Sequence, residues 1–382
     1  MNILIVTSFF PYPPHFGGAF DVLERIKGIK SLGHEIDLVC TCKEFPEQKN
    51  IDFMKQFINE LTIVSRKNKI TDLFSSKPLQ VVSRIALKKV SLTKNYDLTI
   101  LESESVGIIL ENKSFKTAKT IVRVHNNESD YFFQLAKSAK KQTDKLYYYL
   151  EGIKYKTYSK TIFEKADRLW FISNEEINNN SFKPFVNKST YLPASVNDAF
   201  AEQELSSKTV LFIGALFMPN NVEAIMWYLQ NVHSLLVAEK NYKLIIVGST
   251  GDKEPKIFED KFKSFSNVEV RLNQSDLSNC YSESTIFINP MLHGAGVKLK
   301  TINAIQNGLI LISSKVGAEG IGLIKEEMYF EANTSEDFSK SIIKVFNMNV
   351  DEKQKMVRNA QNLLIQNNYL SILKNEIQDE NK

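Results

Sequence analysis

The chain opens on an apolar run, Ile3 to Thr7, which breaks into a loop of prolines and glycines from Pro11 to Gly18. Val22, Leu23, Ile26, Ile29 and Leu32 then recur at three- and four-residue spacing, the pattern of one buried helix face. Gly33 stands where a helix C-terminal cap belongs, and Ile36 to Val39 resumes a strand. That is a βαβ unit. Further apolar runs at Leu61 to Val64, Leu98 to Leu101, Thr120 to Val124 and Leu169 to Ile172 are separated by helical stretches, as a parallel sheet covered on both faces requires.

The second half restarts the pattern. Thr209 to Ile213, Lys243 to Val247, Val268 to Leu272, Ile286 to Asn289 and Leu309 to Ser313 read as strands. Val222 to Leu229 and Thr301 to Gln306 read as helices, the latter closed by Gly308. The prediction is an α/β protein of two Rossmann-like, doubly wound domains. They are placed at residues 1–190 and 208–350, joined by a linker at 191–207, best seen from Leu192 to Ser207 with Pro193. A polar helical segment at 351–382 follows, for which a crossing back to the first domain is one arrangement.

Length agrees, since 382 residues exceed what one core usually holds. With 43% hydrophobic and 24% charged residues, disorder is not the expectation. The start of the chain has no basic segment before its first strand, which argues against a signal peptide, and no apolar stretch approaches the roughly 18 residues of a membrane span. Cys40, Cys42 and Cys280 are odd in number and lack zinc-site spacing, so they read as reduced thiols of a cytoplasmic protein. The net charge of +4 conceals an asymmetry: residues 1–190 hold 29 Lys and Arg against 21 Asp and Glu. Two stretches there, Val81 to Leu92 with Arg84, Lys88 and Lys89, and the Lys- and Tyr-rich Ala136 to Lys165, suit peripheral contact with an anionic membrane. A solvated lysine face over a packed aromatic stripe is the competing reading.

Ligands of open α/β sheets bind beyond the carboxyl ends of strands, where helix N-termini meet phosphate. Three loops qualify. Phe16-Gly17-Gly18-Ala19 allows close backbone approach, but it lacks G-x-G-x-x-G spacing, which weakens a nicotinamide reading. Arg123-Val124-His125-Asn126-Asn127-Glu128 gathers imidazole, amide and carboxylate suited to sugar hydroxyls, or else forms a turn capped by Asn126 or Asn127. The third, Asn289 to Gly308, places Gly294 and Gly296 before a helix whose first turn offers Lys298 and Lys300. Lysine at a helix N-terminus is unfavourable unless an anion is present, so this loop reads as a diphosphate site rather than a solvated lysine pair.

The stretch Pro290 to Gly308 resembles the donor-binding motif of GT-B glycosyltransferases of family 4 in the subgroup reading G-x-G-V-K-L-K-x-x-E-A. Val316 to Ile321 fits the same pattern, as do Phe212 to Ala215 with Pro219 to Val222 and Trp227, and, in the first half, Pro11 to Gly18, His125 to Glu128 and Ala166-Asp167 with Ser173. The resemblance covers residues 1 to about 325. It implies a retaining hexosyl transfer from a UDP- or GDP-type sugar to a glycan or lipid-linked acceptor, in cell-surface polysaccharide synthesis. No cofactor or metal is implied, and nucleic acid is not an expected partner.

By the resemblance, Lys298 and Lys300 neutralise the leaving diphosphate and His125 sits near the reacting sugar. Gly17, Gly18, Gly214, His293, Gly294, Gly296, Asn303 and Glu319 contribute to the donor site, Asn126 and Glu128 to the acceptor site. Where the family carries a ribose-gripping Glu this chain has Asn303, and His293 stands near the position of the motif's other acid. Hydrogen bonds to a charged acceptor are worth roughly 1.5 to 3 kcal/mol each, so Asn303 implies donor affinity weakened about tenfold or more. Asn303 also keeps open a catalytically silent GT-B protein acting as a binding or partner subunit, and a nucleotide-sugar epimerase of the same fold is a third reading.

Overall fold

The computed structural model describes every residue except His15, Lys140, Asn197, Asp198, Ser275, Ala295 and 380–382, together with the side chain of Asp379. Parts of the expected 11–18 loop, the linker, the glycine-rich loop and the 351–382 segment therefore lie outside the described residues. The chain forms two units. One comprises Met1–Pro14, Gly18–Ser195 and the chain from Tyr369 onward; the other comprises Val196–Asn368 with the stretch 15–17.

The first unit is a parallel sheet of seven strands: β1 (Asn2–Thr7), β2 (Glu35–Cys42), β3 (Glu60–Ser65), β4 (Tyr96–Leu101), β5 (Thr117–Val124), β6 (Arg168–Phe171) and β7 (Ser189–Tyr191). Their order is β3-β2-β1-β4-β5-β6-β7, so the winding reverses between β1 and β4, in register from Ile3 opposite Leu98 to Val6 opposite Leu101. Alternate side chains of one strand feed opposite cores. Leu4 and Val6 pack with Tyr158, Ile162 and Phe163 of the helix Gln142–Lys165, while Ile3 and Ile5 pack with Val22, Ile26 and Ile29 of the helix Gly17–Ser31. Burial on both faces is why these strands read as unbroken apolar runs.

The helix Tyr369–Asp379 belongs to the second of these cores, through Tyr369, Leu373 and Ile377. Trp170 Nε1 donates to Glu376 Oε2 at 2.8 Å. Gly28 makes room for this helix: a Cβ there would lie 3.0 Å from Leu370 Cδ2 and 3.3 Å from Leu373 Cδ2.

The second unit has six parallel strands: β8 (Thr209–Ile213), β9 (Lys243–Gly248), β10 (Val268–Leu272), β11 (Ile286–Asn289), β12 (Ile310–Ser313) and β13 (Phe330–Glu331), ordered β10-β9-β8-β11-β12-β13. Here the reversal lies between β8 and β11. The second half of the expected linker is packed rather than free: Leu205 is buried in this unit's core, Lys353 Nζ donates to the Leu205 carbonyl at 3.1 Å, and Gln361 Nε2 to that of Ala201 at 3.0 Å. Gly308, with φ of +79°, closes the helix Leu299–Gln306, and a Cβ there would meet the Ala201 carbonyl oxygen at 2.6 Å. All three cysteines are free and buried. Among the described residues no helix is long and apolar enough to cross a membrane.

Because Leu373 is fully buried, Leu373→Ala is expected to cost about 2–5 kcal/mol. Hydrogen exchange should show lost protection in β1 and β6, with β8 to β12 unchanged. Loss shared by both units would contradict the assignment of this helix.

Candidate functional site

In the second unit, β8 and β11 end side by side at the reversal of the winding. At the end of β11, Asn289 is fully buried, and its Nδ2 donates to Thr301 Oγ1 at 2.9 Å and to the Gly317 carbonyl at 3.0 Å. Thr301 Oγ1 donates to the same carbonyl at 2.8 Å. One amide thus ties the strand end to the first turn of the helix Leu299–Gln306 and to the loop after β12. Gly317 permits this approach, since a Cβ would collide with Ser313 Oγ and sit 2.6 Å from the Asn289 carbonyl oxygen. Gly294 and Gly296 have φ of +145° and +72°, backbone that other residues adopt only under strain.

Both lysines turn inward, which removes the reading of a solvated pair. Lys298 is buried at the N-cap position and gives the helix no side-chain cap. Its ammonium donates to the Gly296 carbonyl at 2.5 Å and lies 3.5 Å from a carboxylate oxygen of the exposed Glu319. Half-buried Lys300 donates to Asn221 Oδ1 at 2.8 Å, with its ammonium 4.9 Å from the centre of the Phe212 ring. Asn221 also donates to the Ala215 carbonyl at 3.1 Å and packs on Gly214, where a Cβ would meet it at 3.1 Å. The first turn of the helix Pro219–Asn231, which follows β8, therefore holds Lys300.

Burial, then the neighbouring Lys298 charge, pushes Lys300 down to about 7. The first turn of the helix contains no acidic residue. A positive helix terminus with two ammonium groups and one exposed carboxylate is a place for an anion. Asn303 lies one turn further along, half-buried. His293 is exposed.

The first unit brings His125 to a cluster the sequence did not announce. Asp21 pairs with Arg25 one helical turn away, and Arg25 Nε donates to Glu102 Oε1 at 2.6 Å. Arg123 Nη2 reaches Asp21 at 3.3 Å and the Pro193 carbonyl at 3.2 Å. The N–H and hydroxyl of Ser195 both donate to Asp21 Oδ1, at 3.0 and 3.1 Å. Burial alone would raise the Asp21 carboxyl, but Arg25 and Arg123 hold it well below the usual carboxylate range.

His125 Nε2 stands 4.0 Å from Glu102 Oε2. Burial, then repulsion from Arg123, pushes this imidazole down to about 4, so at neutral pH it is a neutral hydrogen-bonding group. Ligand atoms of Asp21, Glu102 and His125 lie within 4.8 Å of one another, as a metal site would want. Both carboxylates are already engaged by guanidinium groups, so a cation there would face two positive charges.

Asn127 caps the helix Glu128–Ser138, its side-chain oxygen accepting from the Asp130 N–H at 3.2 Å, as the capping reading had it. Asn126 instead hydrogen-bonds Glu128, a carboxyl that burial pushes up to about 7. Glu104, just past β4, is pushed up to about 8 by burial and then by the Glu128 charge, and accepts from Ser159 Oγ at 3.2 Å. Gly17 and Gly18 are the first residues of the helix that carries Asp21 and Arg25.

In the basic stretch Val81 to Leu92, Lys89 is exposed. Arg84 is buried, donating to Thr41 Oγ1 at 3.2 Å and the Ser8 carbonyl at 3.3 Å, and Lys88 is paired with Glu111 at 2.9 Å.

Residues 207–348, most of the second unit, match the family described as glycosyl transferases group 1. An uncharacterized 44.6 kDa protein in the cps region of Klebsiella pneumoniae is 33% identical over 384 residues, covering 96% of this chain and 96% of that protein. This chain belongs to the glycosyl transferases of group 1 and is a glycosyltransferase of GT-B fold.

Three solved structures illustrate the fold likeness. A TarM variant from S. aureus in complex with fondaparinux, α-GlcNAc-glycerol and UDP superposes with a TM-score of 0.71 at 10% identity, over 100% of this chain and 99% of that one. The pneumococcal O-GlcNAc transferase GtfA, in complex with UDP and GlcNAc, gives 0.67 at 11% over 100% and 99%. Anabaena HepE, in complex with UDP and glucose, gives 0.64 at 11% over 99% and 98%.

Removing Arg25 while leaving its partners should be costly, because Asp21 and Glu102 would remain as buried carboxylates with less compensation. Arg25→Leu is expected to lose about 3–5 kcal/mol at pH 7. The buried Asp21 carboxyl, stripped of its strongest counter-charge, would then bind a proton more readily, so urea unfolding should show the deficit shrinking from pH 7 to pH 5. A deficit unchanged with pH would contradict the charge argument.

Proposed function

We propose that this chain is a retaining, family 4 glycosyltransferase of the cytoplasm. It moves a sugar from a UDP- or GDP-type donor to a glycan or lipid-linked acceptor in cell-surface polysaccharide synthesis. The observation that carries the reading is the inward-turned pair Lys298 and Lys300 at a helix N-terminus with no acid in its first turn. The UDP held by the TarM, GtfA and HepE structures and the cps-region origin of the Klebsiella relative support it.

In this reading the bond between the sugar's anomeric carbon and the diphosphate oxygen breaks, and negative charge develops on the diphosphate. Lys298, Lys300 and the helix terminus stabilise that charge without a metal. The acceptor hydroxyl gives its proton to the departing phosphate oxygen and bonds to the anomeric carbon on the same face. Neutral His125 hydrogen-bonds the reacting sugar, and Asn126 and Glu128 orient the acceptor. Asn303 meets the ribose hydroxyls, Gly214, Gly294 and Gly296 give backbone approach to the donor, and His293 and Glu319 border it. The lack of a carboxylate at residue 303 favours the silent binding subunit as the second reading.

Calorimetry and thermal shift with UDP, GDP, CDP and ADP, with and without magnesium, test the donor site. Selective, metal-independent binding of one diphosphate is expected, and no binding to any of them would move the assignment to the silent subunit. Lys300→Ala should lower turnover at least a hundredfold while leaving the thermal midpoint within a few degrees, consistent with about 3 kcal/mol of transition-state charge stabilisation. Normal turnover would remove its role. Asn303→Glu should tighten nucleotide binding about tenfold, and unchanged binding would unseat Asn303 from the ribose position.

The Lys300 ammonium supplies a pH signature. In the free protein it loses its proton near pH 7, whereas a bound diphosphate raises its pKa. Binding above pH 7 must therefore take up a proton, and the UDP dissociation constant should rise between pH 7.5 and 9 by up to about tenfold per unit. Calorimetry in buffers of different ionisation enthalpy reads that uptake directly, and Lys300→Arg should abolish it.

A further inference from the structure

The helix Gln142–Lys165 is apolar on two opposite faces. Its buried face carries Tyr155, Tyr158 and Ile162. At about 100° per residue, Leu146, Tyr149, Leu150 and Ile153 form an i, i+3, i+4, i+7 stripe on the other side, each 44–59% exposed. Within the first unit the fold leaves this stripe uncovered.

A second uncovered segment lies against it. In the 3-10 helix Ile70–Phe74, Ile70 and Phe74 are 84% and 88% exposed. Lys154 Nζ donates to the Leu73 carbonyl at 2.9 Å, and Glu151 accepts from the Leu79 N–H at 2.8 Å, fixing this segment beside the stripe. On the other flank, a groove of about 840 Å³ runs between this helix and Glu128–Ser138, walled by Phe133, Ala136, Leu146 and Tyr149.

The rim of the patch is basic. Lys137, Lys141, Lys145 and Lys156 are exposed, and Asp144 is the exposed acid among the described residues 137–156. A contiguous apolar surface of this kind marks an interaction site. A second copy placed face to face would set lysines against lysines, whereas an apolar stripe flanked by ammonium groups matches headgroups above acyl chains.

We propose that this face docks the protein on an anionic bilayer surface, with Phe74, Leu150 and Ile153 inserting among the lipids and the lysines meeting phosphate headgroups. The inference extends the reading above and rests on it only for the benefit of lying beside a lipid-linked acceptor; docking itself needs no catalysis.

The test is co-sedimentation of the full chain with vesicles of phosphatidylglycerol and phosphatidylethanolamine, against phosphatidylcholine alone. Binding to the anionic vesicles that weakens with salt is expected. The double variant Leu150→Glu/Ile153→Glu should bind them at least tenfold more weakly while keeping its thermal midpoint. Lys145→Glu/Lys156→Glu should reduce the preference for anionic over neutral vesicles. Undiminished vesicle binding by the leucine and isoleucine variant would overturn the proposal. So would absent vesicle binding, whether the chain sediments as a monomer or as a dimer dissolved by that variant. UDP binding by the same proteins separates the two readings: a chain that binds vesicles but no nucleotide refutes the donor site and leaves this surface standing.

Discussion

Arg25 is the junction at which the parts of the first unit meet. It sits at zero exposure between Asp21 and Glu102, and donates to Tyr369 Oη at 3.3 Å. Through Asp21 the same network takes in Arg123 and Ser195, and through Arg123 the carbonyls of Leu192 and Pro193. The groups joined are the first helix, the ends of β4 and β5, the stretch where the chain leaves this unit and the helix with which it returns. Two buried guanidinium groups and two buried carboxylates balance in charge, which is what makes their burial tolerable. His125, at the margin of this network, inherits its electrostatics: kept neutral, it is a directed hydrogen-bonding group rather than a cation.

The second unit solves the opposite problem. Its corresponding strand end is fastened by neutral groups, Asn289, Thr301 and the Gly317 backbone, with two lysines beside it. The two lysines occupy backbone and amide oxygens, with one exposed carboxylate near Lys298. Among the described residues, buried Asn289 Oδ1 has no hydrogen-bond partner, so the fastening keeps one unmet acceptor beside the lysines. On the donor reading, this neutral fastening would hold both lysines where a diphosphate could meet them.

Much of this fold was legible because burial on both faces turns parallel strands into uniform apolar runs, and every run read as a strand from Ile3 to Ser313 is one. Two of the four edge strands were not legible: Ser189–Tyr191 and Phe330–Glu331 are too short for any pattern to emerge. The glycine-rich loop and its lysines were legible as a group at one helix N-terminus, but the direction of Lys300 was not, because Asn221, 79 positions away in sequence, decides it. Asp21 and Arg25 did leave a trace that went unread. They stand four apart on a helix face otherwise made of Val22, Ile26 and Ile29, and ionisable residues among buried positions require each other. Glu102 and Glu104 carried no comparable trace, since an acidic residue after a strand is common in an exposed loop.

The neutral residue at 303 bears on how such a site would share its work on the donor reading. A carboxylate there would grip ribose hydroxyls, and it would also draw on the positive charge of the helix terminus a turn away. With Asn303 in its place, neither effect operates: the ribose contact weakens, and Lys300 keeps its charge free of a nearby acid on the same helix. Binding energy shifts from the sugar of the nucleotide towards its phosphates. Contacts to the departing diphosphate strengthen as the bond breaks, whereas contacts to ribose are the same before and after. A site built this way holds its donor less tightly at rest and concentrates what binding it has on the transition state.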